Sequence, residues 1–161
     1  MSEQAAVVER GKDFAIVTVG RLYVTICRGA PRIELLEAID RTEGAFLAQV
    51  GPPIRTLFVI REIRLTGPPD AAFRAKSALL MEKYSPSLIA TAQVIEGVGF
   101  GTSIMRAFVT GITLVTRQPV PTRAFADLGT SLEWLCTVGA NDAALANRTA
   151  LAQTLNAVIL P

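Results

Sequence analysis

The 161-residue chain contains no histidine, two cysteines and a single tryptophan, and aromatic residues make up only 6% of it. Without imidazole it lacks the usual general base near neutral pH and the commonest nitrogen ligand for zinc, and its acidic residues and cysteines show no metal-ligand spacing. No serine or cysteine sits in a recognisable nucleophile elbow. Catalysis by histidine or a metal is thereby set aside, no cofactor is expected, and the chain reads as a non-enzyme. Charge is also sparse, at 19% of residues, with 16 basic against 14 acidic side chains. The net charge of +2 is scattered and makes no basic stripe for a phosphate backbone, so nucleic acid is not an expected partner. No run approaches the roughly 18 apolar residues of a membrane span. The start, Met1-Ser2-Glu3-Gln4, lacks the basic residues and apolar core of a signal peptide, and Cys27 and Cys136 lie far apart, which reads as a cytoplasmic protein with reduced thiols.

What the chain does have is apolar residues. Half of the sequence is hydrophobic and mean hydropathy is +0.40, which predicts one domain with a substantial core and some apolar surface buried between subunits. Phe14 to Val19 and Leu22 to Cys27 are β-branched runs separated by Gly20-Arg21, the pattern of a hairpin. In the second run Leu22, Val24 and Ile26 alternate with Tyr23, Thr25 and Cys27, so one face is expected to point into the core. Pro31 suits the first turn of a helix that carries Ile33, Leu36, Ile39, Ala45 and Leu47 and ends near Gly51-Pro52-Pro53.

Thr56 to Ile60 is continuously apolar, as in a parallel strand buried on both faces, and its exit from Arg61 to Arg64 is charged. It predicts a central strand flanked by Leu22 to Cys27 and Leu88 to Ile95. Asp70 favours the start of a helix containing Phe73, Leu79, Leu80 and Met81. The richest stretch runs from Ser87 to Leu135: a buried strand to Ile95, a turn with Gly97, Gly99 and Gly101, a helix from Thr102 to Thr116, a strand over Arg123 to Ala126, and a helix around Trp134. Phe125 and Trp134 are expected to fill the core beneath that helix. Asn141 to Ile159 reads as one more amphipathic helix outside the alternation. The fold class is therefore α/β, a mixed sheet with an N-terminal hairpin, alternating strand-helix units and an extra C-terminal helix.

Over about Phe14 to Cys136 this order resembles the STAS or SpoIIAA-like domains of anti-sigma-factor antagonists. The resemblance is carried by Ala15 to Val19, Leu22 to Ile26, Leu57 to Ile63, and the close Arg123-Ala124-Phe125-Ala126 before Ser131-Leu132-Glu133-Trp134-Leu135. It implies an N-terminal extension over 1–13, a STAS-like domain over 14–138 and a C-terminal helical extension over 139–161. It also implies a protein-interaction module with a regulatory or scaffolding role in a bacterium, with a small apolar ligand or lipid as the alternative. Members regulated by phosphorylation carry a serine or threonine after an aspartate at the start of the helix following the central strand. Here that place holds Thr66-Gly67-Pro68-Pro69-Asp70, which leaves Thr66 as the candidate phosphoacceptor and loss of the switch as the plainer reading.

The candidate interaction or ligand face gathers Arg61, Glu62, Arg64, Thr66, Asp70, Glu96 and Gly99, which the alternation brings to the carboxyl edge of the sheet. Gly97 to Gly101 stands where backbone amides can cradle an anion, but the spacing of a dinucleotide site and the Walker lysine are missing, and a tight turn is the plainer account. For Arg61, Glu62 and Arg64 the plainer account is a solvated, salt-bridged strand exit. Asp70 and Glu96 as an acid-base pair, and Cys27 and Cys136 as reactive thiols, rank below cap, surface and core roles. Leu151, Leu155, Val158 and Ile159 are expected to form a homo-oligomer contact, because the helix bearing them must bury its apolar face somewhere. The apolar-ligand reading is favoured if the helix from Thr102 and the last helix enclose a pocket.

Overall fold

Apolar and β-branched runs become strands and the segments between them helices, in the order β1 (Ala6–Arg10), β2 (Phe14–Val19), β3 (Leu22–Arg28), α1 (Ile33–Val50), β4 (Ile54–Arg61), α2 (Ala71–Tyr84), β5 (Leu88–Ile95), α3 (Phe100–Thr116), β6 (Thr122–Phe125), α4 (Leu128–Thr137) and α5 (Arg148–Asn156). The computed structural model describes residues 3–63, 67–116 and 120–160, with backbone alone at 100, 112, 113, 115 and 116. Arg64 and Thr66 fall outside the described residues.

The strands form one six-stranded sheet in simple sequence order, β1 to β6. β1, β2 and β3 are antiparallel neighbours, whereas β3, β4, β5 and β6 are parallel. Thr56 to Ile60 is the central strand expected, with Leu57 opposite Val24 on one side and Ala92 on the other. A sheet that always advances in one direction through crossovers of one hand puts every crossover helix on the same face. Accordingly α1, α2 and α3 share one core with Tyr23, Cys27, Ile60 and Ile95. The opposite face is left to the chain after β6. There α4 and the C-terminal segment pack on Val17, Val24, Leu57, Val59, Ala92 and Val94.

Leu22, Val24 and Ile26 point into the core as expected, and because helices cover both sides of β3, Tyr23, Thr25 and Cys27 are buried as well. Two other expectations are corrected. The segment 1–13 is not a bare extension: Ala6 pairs with Thr18 and Val7 with Val17, making an edge strand too short and exposed to announce itself. The segment 139–161 is not a free helix either. It splits into a 3-10 turn, Ala143–Leu145, and α5, because Asp142 caps the first through the Ala144 amide (2.9 Å) and Asn147 caps the second through the Ala150 amide (3.0 Å). Leu145, Leu151 and Leu155 lie buried in the chain's own core, so the contact assigned to Leu151 and Leu155 has no apolar surface left for a second subunit. Val158 packs partly on the same core, and Ile159 alone of the set is exposed, at 77%.

A buried arginine holds this segment in place. Arg55, 2% exposed at the start of β4, donates to the carbonyls of Leu135 (3.2 Å), Val138 (2.7 Å) and Ala140, and pairs with the Asp142 carboxylate at 3.4 Å. Gly139 makes the approach possible, since its φ of +79° suits glycine and an added Cβ would lie 2.6 Å from Ile89 and 3.3 Å from the guanidinium. At the far end of β4, Arg61 donates to the carbonyls of Leu155 (2.7 Å) and Val158 (3.0 Å) and so closes the C-terminus of α5. Removing one partner of a buried pair strands the other, at a typical cost of roughly 3 to 5 kcal/mol. Arg55→Met is therefore expected to lower unfolding free energy by about that much, and Arg55→Met/Asp142→Asn to recover part of it, as read by urea denaturation. Deleting 141–161 should expose the covered face and produce aggregation or a large loss of thermal stability; a well-folded truncated monomer would contradict the intramolecular role.

Candidate functional site

The site begins with the register of the parallel strands. Tyr23 stands opposite Thr56, Thr56 opposite Thr91, and Thr91 opposite Thr122, so one row of hydroxyls crosses β3, β4, β5 and β6 on the face covered by α1, α2 and α3. Threonine has the branched shape a strand favours, so the row costs little in local conformation, but its polar atoms must be satisfied. Thr56 and Thr91 hydrogen-bond to each other at 2.8 Å. Thr42 donates its only hydroxyl proton to the Ala38 carbonyl (2.8 Å), so the Tyr23 hydroxyl donates to Thr42 (2.6 Å).

Above this row the three crossover helices do not close completely. They leave a cavity of about 160 Å³, lined on the helix side by Leu36, Ile39, Phe73, Leu80, Met105 and Phe108 among others. Its floor adds Thr25, Phe58, Gln93 and the hydroxyl row. That volume is close to that of an engineered apolar cavity known to hold benzene.

Among the described residues one charged side chain lines the cavity. Glu43 occupies an inward position of α1, among Leu36, Ile39 and Phe46, and is 5% exposed. Both neighbouring tyrosine protons are committed elsewhere, Tyr23 to Thr42 and Tyr84 to the carbonyl (2.6 Å) and carboxylate (2.9 Å) of Asp40. Among the described residues no group hydrogen-bonds the Glu43 carboxyl. Burial, reinforced by the Asp40 charge and opposed by that of Lys83, pushes its pKa up to about 8. Asp40 itself lies in water, where Lys83 (2.7 Å), Tyr84 and Lys76 (3.2 Å) hold its carboxyl down to about 2.

The residues singled out from the sequence are distributed otherwise. Arg61 turns to the other face and is spent on α5. Asp70 caps α2 by accepting from the Phe73 amide at 2.8 Å. Glu62 and Glu96 follow the carboxyl ends of adjacent strands, with Glu62 at φ 49° and the Glu96 amide donating to the Ile60 carbonyl at 3.1 Å. Gly97 and Gly99 take φ of 105° and 110°, so these two glycines are accounted for by conformation, and Gly101 lies in the first turn of α3. Cys27 is buried, with its thiol pushed up to about 12 by desolvation, and Phe125 meets Trp134 with ring centres 5.5 Å apart. The helix beginning at Phe100 and the C-terminal helix cover opposite faces, so no pocket forms between them. Glu43, Thr56, Thr91 and Gln93 were not anticipated as site residues. The signal for Glu43 was its place on the apolar stripe of α1, and for the threonines their recurrence in each parallel strand.

No family model matches the chain, and no curated protein or solved structure matches it. No described helix is long and apolar enough to cross a membrane, and no group of three metal-ligating side chains occurs among the described residues.

Glu43 makes stability depend on pH in a definite sense. Its folded pKa lies above the ordinary carboxylate value of 4.5, so between about 4.5 and 8 the unfolded chain has lost a proton that the folded chain keeps. Stability should fall as pH rises through that window, by roughly 3 to 5 kcal/mol in all, and level off above it. Glu43→Gln should flatten this part of the curve, as measured by chemical denaturation from pH 4 to pH 9.

Proposed function

We propose that the protein is a non-catalytic α/β binding module whose site is the cavity between the sheet and α1, α2 and α3, and whose ligand is a small, mainly apolar molecule. The observation that carries this reading is the cavity itself: an apolar vault over a hydroxyl row, with room for about one ring-sized body. Empty space of that size inside a core lowers stability, and an occupant returns the lost contacts. Support for the absence of catalysis comes from the missing histidine and from a Cys27 thiol held far from its reactive form.

The STAS-like role, binding partner proteins in bacterial regulation or scaffolding, is a compatible second reading. It draws on the exposed Leu79 of α2, a helix that also roofs the cavity, so a partner resting there would sense whether the cavity is filled.

Toluene is the direct probe. At 100 times its dissociation constant it should raise stability by about 2.7 kcal/mol, which for a chain of this size is roughly 5 to 11 °C in Tm. Amide chemical-shift changes should concentrate at α1, α2, α3 and the facing residues of β3, β4 and β5. Ser77→Phe, which adds a ring to the lining, should abolish the shift in Tm while leaving the fold intact by circular dichroism. Failure of toluene to bind at all would refute the reading.

A further inference from the structure

The cavity lining contains a single charged side chain and no basic one among the described residues, and that side chain is an acid without a hydrogen-bond partner. The rings of Tyr23, Phe58, Phe73, Tyr84 and Phe108 line the same cavity. Among the described residues an anionic ligand would find no counter-charge here. A cation would find both an unpaired carboxylate and aromatic faces, whose negative quadrupole attracts positive charge most strongly where water is excluded. A neutral hydrocarbon would fill the volume but leave Glu43 unsatisfied, which costs more inside a core than at a surface.

From this we infer that the natural ligand class is a compact apolar amine, bound as its ammonium with the nitrogen on Glu43 and the hydrocarbon body over the threonine row. The inference rests on the cavity being a binding site and names the chemistry it selects. No bond is made or broken in the complex. Glu43 must give up its proton to solvent before it pairs with the ammonium, so binding releases a proton at neutral pH. The charges facing Glu43 set the window. Asp40 lies on its own helix, Lys83 on α2 acts against it, Lys76 and Tyr84 on α2 are bound to Asp40, and Tyr23 on β3 is neutral. β4, β5, β6 and α3 contribute no titratable group to the lining among the described residues. Below about pH 8 the acid is largely protonated, so amine affinity should climb up to tenfold per pH unit and flatten above it. Alkylammonium groups stay charged throughout that range, as lysine does.

Three molecules of one shape separate the possibilities: toluene, benzylamine and benzoate, titrated calorimetrically into the full chain at pH 6, 7 and 8.5. The expected result is benzylamine at least tenfold tighter than toluene at pH 8.5, an advantage shrinking toward pH 6, and benzoate weakest. Glu43→Gln should erase the amine's advantage and its pH dependence while toluene still binds. Toluene binding with no preference for benzylamine, or a preference that survives Glu43→Gln, would overturn the amine assignment and leave the cavity reading intact. If none of the three binds, both fall.

Discussion

The constraint on which the rest depends is the anchoring of the sheet's second face by one strand. Because the sheet advances in sequence order, its three crossover helices all settle on one side, and four parallel strands would otherwise present Val24, Leu57, Val59 and Val94 to water. Only the chain after β6 can cover them. β4 fastens that chain at both ends, with Arg55 and Arg61 on the same face and roughly 20 Å apart along the strand. The first grips the link between α4 and α5 and the second the carbonyls that end α5. An arginine inside a core is tolerated because its planar fork spreads five donors over several separated carbonyls, where lysine offers three from a single point. Gly139 is the matching concession in the backbone, a position where any side chain would meet Ile89.

Fastening one face frees the other from bearing the whole fold. The core under α4 and α5 is mainly aliphatic around the buried Arg55 and Ser131, whereas the core under α1, α2 and α3 includes several hydroxyls, a glutamine and a carboxyl at the cavity. Side chains of mixed polarity cannot interdigitate as aliphatic ones do, since each polar atom must keep a partner at hydrogen-bond distance and so fixes the spacing around it. The cavity lies among these polar groups, and the Glu43 carboxyl, which no described group hydrogen-bonds, borders its open space.

Much of the fold was legible because its strands are physically distinctive. An uninterrupted Thr56 to Ile60 run has no favourable place except the middle of a covered sheet, and the hairpin at Gly20-Arg21 and the break at Pro52-Pro53 are local in cause. What escaped depends on distant residues. Nothing near Arg55 indicates that its partners lie some 80 positions later, and the sequence alone assigns it no role. Nothing near Arg61 indicates its carbonyl partners at α5 either. Leu151 and Leu155 carried a correct apolar signal with the wrong destination, because periodicity says that a face must be buried and not against what. The site was legible only in part: Glu43 breaks an apolar stripe in plain view, but the threonine row exists only once four strands are in register.

The roof of the cavity joins these two kinds of interaction. Asp40 and Glu43 are one helical turn apart on α1, and Asp40 ties α1 to α2 through Lys76, Lys83 and Tyr84. Exposed ion pairs of this kind contribute little to stability, so α2 is held mainly by Phe73, Leu80 and the body of Tyr84. These are cavity-lining groups as well. An occupant would therefore add contacts to the very side chains that keep α2 seated, and a charge appearing on Glu43 would be felt by the Asp40 cluster on its outer surface. On the proposed reading, filling the cavity would therefore also strengthen the attachment of α2, the helix whose outer face is exposed above it.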